Sequence, residues 1–140
     1  MRPDELKQLL AAMPFAAACG IEIESATAEE VRARLDWSKE RCTAGGVLHG
    51  GALMTLADSA GAVCAFLNLP AGATTTTLES KTNFFRAVRK GTARAIARPL
   101  HAGRSVIVVQ TDVQDDDGKR LAQVTQTQMV LSGAGEPKRA

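Results

Sequence analysis

Residues 47–61 read VLHGGALMTLADSAG, where Gly50 and Gly51 precede an apolar, alanine-rich segment that carries a single carboxylate, Asp58. If the glycines begin a helix, their backbone N–H groups have no partner within the helix and lie at the positive end of its dipole. An anion or a polarised carbonyl can bind there. The carboxylate of Asp58, in contrast, carries a negative charge. The stretch therefore predicts a reactive site, although a tight turn followed by an exposed helical aspartate fits the same letters.

The segment 49–67 is predicted to be the longest helix of the chain. Five apolar residues recur at helical spacing and should form a stripe that packs on a sheet: Leu53, Leu56, Ala60, Val63 and Leu67. Another face is expected to carry small or polar residues that allow close approach of a ligand or a second backbone: Gly51, Thr55, Asp58, Ala62 and Ala65.

The remainder of the chain predicts an α+β fold in a single domain, residues 1–131, with a flexible tail at 132–140. Leucines at 6, 9 and 10 indicate a short amphipathic helix over 3–13, and alternating apolar and charged residues between 21 and 37 indicate two strands. Four more strands are expected at 73–88, 91–100, 105–113 and 120–131, where short turns require antiparallel pairing. A curved antiparallel sheet must then cover the long helix.

Composition excludes several classes of function. The 140 residues are 45% hydrophobic and carry a net charge of only +2, with no basic block and no Tyr for stacking on bases, so nucleic acid is not an expected partner. We expect no membrane segment and no signal peptide, and therefore a cytoplasmic protein. Cys19, Cys42 and Cys64 lack a Cys-x-x-Cys spacing, which favours reduced thiols and argues against a metal site.

Helix geometry predicts that the site needs two chains. Gly50 and Asp58 are eight residues apart, which is about 12 Å along a helix axis, too far for one carbonyl to contact both. A carboxylate that acts on a carbonyl held at Gly50 must then come from a second, antiparallel copy of the helix. We therefore expect a homodimer with two equivalent sites.

The segment Gly46-Val47-Leu48-His49-Gly50-Gly51, followed by Asp58, resembles the signature of the PaaI-type hotdog-fold acyl-CoA thioesterases. That family couples a Gly-x-x-His-Gly-Gly loop to a helix with an acidic residue at this spacing. The resemblance extends over most of the chain, through residues 77–86 (TLESKTNFFR), 103–105 (GRS) and 117–122 (DGKRLA). It implies the hotdog fold, a long helix wrapped by a curved antiparallel sheet of about six strands, in a homodimer or a dimer of dimers.

The resemblance also implies the chemistry, which is hydrolysis of a medium-chain or aromatic acyl-CoA without metal or other cofactor. Asp58 would be nucleophile or general base, the Gly50 N–H would polarise the thioester carbonyl, and Thr77 would orient the water or the carboxylate. Gly51 would let the backbone approach the substrate. His49 is expected to shape the loop, with a role as general base as the alternative.

Other candidate substrate-binding residues follow from the same resemblance: Thr43, Asn83, Arg86, Gly103 and Arg104. The arginines, with Arg89 and Lys90, are the cations expected to meet the CoA phosphates. Many relatives carry Asn six residues before the histidine, where this chain has Thr43, so that contribution is altered or absent here. Two other functions stay open, a hotdog hydratase or dehydratase and a non-catalytic acyl-CoA-binding module.

Overall fold

The long helix predicted from the opening stretch lies against one six-stranded sheet in a computed structural model that describes residues 1–132. The helices are α1 (Pro3–Ala11), α2 (Pro14–Ala18) and α3 (Gly50–Leu67), and the strands are β1 (Glu22–Ala26), β2 (Val31–Asp36), β3 (Thr74–Phe84), β4 (Thr92–Ala102), β5 (Val106–Gln114) and β6 (Arg120–Leu131). This is the predicted α+β hotdog arrangement, with short helices at the N-terminus.

The sheet is antiparallel throughout, in the order β1-β2-β4-β5-β6-β3. Among residues 1–132, strand β3 lies at one edge of the sheet and pairs with β6 alone, from Thr74 opposite Leu131 to Phe84 opposite Ala122. Its register shifts between Thr77 and Glu79, which makes Leu78 a bulge. An eleven-residue edge strand with an unpaired side is a surface on which another strand can pair.

The core lies between α3 and the inner face of the sheet. The predicted helical stripe is confirmed for Leu53, Leu56, Ala60 and Val63, which are all at most 3% exposed. The fifth residue, Leu67, is partly buried and packs against the same core. By length and hydropathy α3 could span a membrane, contrary to the expectation that no stretch approaches this length. Half of that window is buried against the rest of the fold, however, so α3 is a core helix.

Several predicted boundaries are wrong. The helix expected over 3–13 ends at Ala11, and Pro14 starts a second, short helix, because proline fits the first position of a helix and not its interior. Ala65 of the predicted small-residue face is fully buried. Of the predicted tail, Ser132 lies just beyond β6, and residues 133–140 lie outside the described part of the chain.

Strand β3 also ends earlier than predicted. It stops at Phe84 instead of residue 88, since the N–H groups of Phe85 and Arg86 both donate to the Leu121 carbonyl and the chain leaves the sheet edge there. Arg86 therefore lies in the connection to β4 and not in a strand.

Candidate active site

The site begins at the N-terminus of α3, where His49 is the N-cap residue and Gly50 the first helical residue. The Gly51 N–H donates to His49 Nδ1 over 2.8 Å, so the imidazole caps the helix. Neighbouring side chains leave little space beside both glycines, and least beside Gly51. A Cβ atom on Gly51 would lie 2.9 Å from His49 Nδ1, and one on Gly50 would lie 3.2 Å from the Phe84 ring. The loop-shaping role expected of His49 matches this geometry.

The Gly50 N–H is the group that can bind a carbonyl. Within residues 1–132 no acceptor engages it, whereas the Gly51 N–H is already occupied by His49. Gly50 lines a cavity of about 300 Å³ together with Phe84, Phe85 and Arg86. The structure thus brings two predicted site residues, Gly50 and Arg86, to one cavity at the positive end of the helix dipole.

Asp58 lies two turns further along α3, beside a cavity of about 270 Å³. That cavity is also lined by Thr55, Ser59 and Ser80. More than a third of the Asp58 surface is accessible to solvent, yet the surrounding protein atoms still desolvate its carboxyl group and raise its pKa above 3.8. A hydrogen bond from Gln126 Nε2 to Asp58 Oδ1, 3.4 Å long, acts in the opposite direction. A carboxylate with a raised pKa is a stronger base than an ordinary aspartate.

The two halves of the predicted site face different parts of β3. Gly50 approaches Phe84, and Asp58 shares its cavity with Ser80, four residues earlier on the strand. Four residues of strand span roughly 13 Å, and eight residues of helix about 12 Å, so helix and strand run alongside each other at this separation. One chain therefore holds the N–H donor and the carboxylate too far apart for a single carbonyl.

A third cavity, of about 680 Å³, opens on the side of α3 that carries His49, Gly51 and Thr55. Its far wall is formed by α2 and the loop that precedes α3, including Cys19, Arg41 and Cys42. Phe15 and Thr55 line both this cavity and the Asp58 cavity, so the two adjoin.

The other predicted site residues lie away from Asp58 within one chain. The Thr77 hydroxyl accepts a hydrogen bond from Gln128 Nε2 over 2.8 Å, and Ser80 is the β3 residue that shares the Asp58 cavity.

Asn83 accepts a hydrogen bond from Lys81 Nζ. It is exposed on the face of β3 opposite to Phe84, because side chains alternate along a strand. Thr43 is exposed in the loop before α3, where its N–H donates to the Val47 carbonyl.

Gly103 and Arg104 form the turn between β4 and β5, at the opposite end of the sheet from Gly50. Val106, just after this turn, pairs with Met129, whereas the Phe84 that covers Gly50 pairs with Ala122. The Gly103 N–H donates to the Val106 carbonyl over 2.9 Å, and a Cβ atom there would lie 2.6 Å from His101 Nε2. Arg104 is exposed, and neither it nor Arg86 forms an ion pair among residues 1–132.

With this geometry established, comparison with known proteins assigns the family. The family model of the thioesterase superfamily matches residues 45–122, which include the helix start, Asp58 and most of the sheet. The chain belongs to the thioesterase superfamily. It is a thioester hydrolase with the hotdog fold, as the resemblance of the His-Gly-Gly stretch predicts.

Solved structures of thioesterases match almost the whole chain. A thioesterase of Haemophilus influenzae superposes with a TM-score of 0.89 at 28% identity, covering 97% of this chain and 94% of that one. A mutant thioesterase of Pseudomonas aeruginosa does so with a TM-score of 0.84 at 30% identity, covering 90% and 93%. By sequence, the chain is 34% identical over 86 residues to the 1,4-dihydroxy-2-naphthoyl-CoA hydrolase of Escherichia coli, covering 61% of this chain and 63% of that protein.

Sequence reasoning about this thioesterase missed Gln126, Ser80 and Phe15, which all lie close to Asp58 or its cavity. A signal for Gln126 was present. Residues 125–128 read TQTQ. Because alternate side chains of a strand share a face, Gln126 and Gln128 fall on the same inner face as the buried apolar residues of β6. Buried amides on a core face are rare enough to deserve a functional explanation. The involvement of Phe15 depends on how α2 packs, which no local pattern indicates.

Proposed function

We propose that this thioesterase hydrolyses an acyl-CoA, giving the free acid and CoA. The observation that carries the proposal is that α3 supplies two complementary groups. The Gly50 N–H at its start has no acceptor among residues 1–132, and the carboxylate of Asp58 has a pKa raised by partial desolvation. The adjoining cavities beside His49 and Asp58 suit a medium-chain or aromatic acyl group. The name of the Escherichia coli relative, a naphthoyl-CoA hydrolase, favours the aromatic choice.

In the proposed reaction the thioester carbonyl oxygen accepts the Gly50 N–H, which stabilises the negative charge that develops on that oxygen. Asp58 either removes a proton from water, which then attacks the carbonyl carbon, or attacks that carbon itself and forms an anhydride that water hydrolyses. The carbon–sulfur bond breaks in either case. The thiolate of CoA leaves and takes up a proton, so the step needs no oxidant or reductant, and we expect no metal or other cofactor.

The separation of Gly50 from Asp58 supports a homodimer in which each site uses both chains. The unpaired edge of β3 offers the surface for it, and Leu78, Phe84 and Phe85 on or beside that edge are each more than half exposed. A two-fold axis across β3 between Ser80 and Phe84 would set the two strands antiparallel. Asp58 of one chain would then lie beside Gly50 of its partner.

The same two-fold arrangement bears on the residues at the far end of the sheet. Thr77, Gly103 and Arg104 lie at the Met129 end of the strands, and Gly50 at the Ala122 end. An antiparallel partner reverses these ends, so that Thr77 and Arg104 of one chain approach the Gly50 end of the other. We propose that Arg86 and Arg104 bind the CoA phosphates there, and that Thr43, Asn83 and Thr77 support the substrate or the attacking water. Association of two such dimers into a tetramer, the dimer of dimers that the resemblance implies, would bury further surface.

We place the protein in the cytoplasm, where acyl-CoA substrates occur. The direct test is the release of free thiol from a panel of aliphatic and aromatic acyl-CoAs by the wild type and by Asp58→Ala. Thiol release that depends on Asp58 supports the proposal, and equal turnover by both proteins removes Asp58 from the mechanism. Hydration of an enoyl-CoA without thiol release would instead favour a hydratase. Tight acyl-CoA binding without turnover across the panel would favour a binding module.

A further inference from the structure

Gln126 is a fully buried amide that reaches from the sheet to the carboxylate on the helix. It lies on β6, opposite Val109 of β5 and Ser80 of β3, and its side chain is 0% exposed. Its Nε2 atom donates to Asp58 Oδ1 over 3.4 Å. No other side-chain hydrogen bond to Asp58 occurs among residues 1–132.

The other end of this amide, the Oε1 atom, has no hydrogen-bond partner within residues 1–132. Gln126 Oε1 is buried without a donor among the described residues, which is costly for a polar atom in a core. It lies against Gly61 of α3, where a Cβ atom would be 2.0 Å from Oε1 and 2.5 Å from the amide carbon. Gly61 therefore gives Gln126 the space to pass beside the helix. A core built only for stability would hold an apolar side chain here.

We propose that Gln126 is a positioning residue of this thioesterase, which fixes the orientation of the Asp58 carboxylate through its amide N–H and depends on Gly61 for its own position. The inference rests on the proposed function of Asp58. Gln126 does not need to contact the substrate, because its effect is exerted through the carboxylate. A hydrogen bond of 3.4 Å is long, and such contacts at active sites often shorten when substrate binds.

The surroundings of Asp58 explain why one amide can matter. The cavity beside it is lined by Thr55 and Ser59 of α3, Ser80 of β3 and Phe15 of α2, none of which carries a charge. Among residues 1–132, Gln126 of β6 is the one group that favours the ionised form, against the desolvation that disfavours it. Loss of Gln126 leaves desolvation unopposed, so the carboxyl group should hold its proton to a higher pH.

The test compares Gln126→Met, which keeps the volume and removes the donor, with Thr111→Val as a matched control. Thr111 of β5 is also 0% exposed, faces the same core, and has a buried hydroxyl without a partner among the described residues. For each protein the pH profile of kcat/KM is measured with the best acyl-CoA of the panel. Titration of the Asp58 carboxyl carbon is followed by NMR with 13C-labelled aspartate, a readout that needs no turnover.

We expect Gln126→Met to move the acidic limb of the profile and the Asp58 titration to higher pH, and to lower kcat about tenfold with little change in KM. Thr111→Val should move neither. If Gln126→Met does not fold, Gln126→Leu also lacks the donor and is measured in its place. A limb and a titration that coincide with those of the wild type would overturn the inference. A wild type without thioesterase activity, together with a shifted Asp58 titration in Gln126→Met, would overturn the proposed reaction and support the pairing.

Discussion

His49 Nδ1 accepts a hydrogen bond from the backbone N–H of Gly51 over 2.8 Å. This contact determines how the His49 imidazole and the N–H groups of Gly50 and Gly51 are used at the start of α3. Because Nδ1 is an acceptor, the proton of the neutral imidazole is on Nε2. Because the Gly51 N–H is occupied, the neighbouring Gly50 N–H is the one left for a carbonyl. The histidine therefore caps the helix, and its ring lies beside the large cavity.

The cap can be separated from acid–base catalysis by two substitutions. His49→Asn keeps a side chain that caps helices well, and should retain most of the activity. His49→Ala removes the cap and should lower the free energy of unfolding by about 1 kcal/mol. The rate of thiol release measures the activity of both variants, and urea denaturation measures their free energy of unfolding. A loss of about 10²-fold or more in kcat for His49→Asn, with stability intact, would instead identify the histidine as a general base.

Asp58→Asn should lose activity without losing stability. Burial raises the pKa of Asp58 above 3.8, so the folded state binds this proton more tightly than the unfolded chain does. The carboxyl group therefore lowers the free energy of unfolding as the pH rises from the unfolded pKa through the folded one, and that cost is fully present at neutral pH. Asparagine cannot ionise and can still accept from Gln126.

We expect the melting temperature of Asp58→Asn at pH 7 to equal or exceed that of the wild type, with the difference shrinking as the pH falls through the titration of Asp58. Thermal unfolding followed by circular dichroism at several pH values checks this. A wild-type rate of thiol release by this variant, or a lower melting temperature at pH 7, would contradict the roles assigned to the carboxylate.

The Gly50 N–H can be deleted with little distortion of the backbone. Gly50 is the first helical residue, where proline is favoured, and His49 has φ −58° and ψ 134°, a conformation suited to the residue before proline. Gly50→Pro should lower kcat by about 10²–10³-fold, as for other oxyanion donors. Gly50→Ala keeps the N–H and tests the effect of a Cβ atom beside Phe84, so it should be far more active.

Mixing two inactive variants tests whether the site spans two chains. A heterodimer of Gly50→Pro and Asp58→Ala contains one site with both wild-type groups and one with neither. Random reassociation should then restore about a quarter of the wild-type sites, since half of the dimers are mixed and each has one working site. Thiol release after joint refolding of the two variants measures this, and no recovery would place both groups of a site in one chain.

Gly61 and Gln126 should be coupled in stability. Gly61→Ala places a Cβ atom against the Gln126 amide and should cost roughly 1–3 kcal/mol, although alanine is otherwise favoured over glycine in a helix. In a Gln126→Ala background the same change should be neutral or stabilise by roughly 0.5–1 kcal/mol. Denaturant titrations of the four proteins in this cycle give the coupling energy, and additive effects would show that the amide does not need the glycine.

Cys64 should be the least reactive of the three thiols. It is fully buried in α3, and burial raises its pKa to about 11, so almost none is thiolate at neutral pH. Cys19 and Cys42 are partly exposed at the large cavity. Native protein treated with a thiol reagent should be modified at Cys19 and Cys42 first, and at Cys64 only on unfolding. Mass spectrometry of the peptides shows the order.

Local sequence was sufficient for the helices and strands and for the helix cap at His49, whereas the catalytic roles of the site residues stay predictions. The helical stripe of α3, the alternation along β2, and the turn residues between strands depend on near neighbours, and all are confirmed apart from the ends of some elements. The ends failed where a proline or a distant partner decided them, as when the Leu121 carbonyl draws residues 85 and 86 away from the line of β3.

The sequence by itself determined the start of α3, since the His-Gly-Gly letters predict a capped helix whose first N–H groups lack partners, and the eight-residue interval to Asp58 led us to propose a site shared by two chains. Only the tertiary structure decided what surrounds the carboxylate. Gln126 is 68 residues away in sequence and reaches Asp58 because β6 packs under α3 and Gly61 leaves room for its amide. Helix capping is local and can be read from adjacent residues, whereas the partial desolvation and the hydrogen bond that tune the Asp58 carboxylate depend on elements that meet only in the fold.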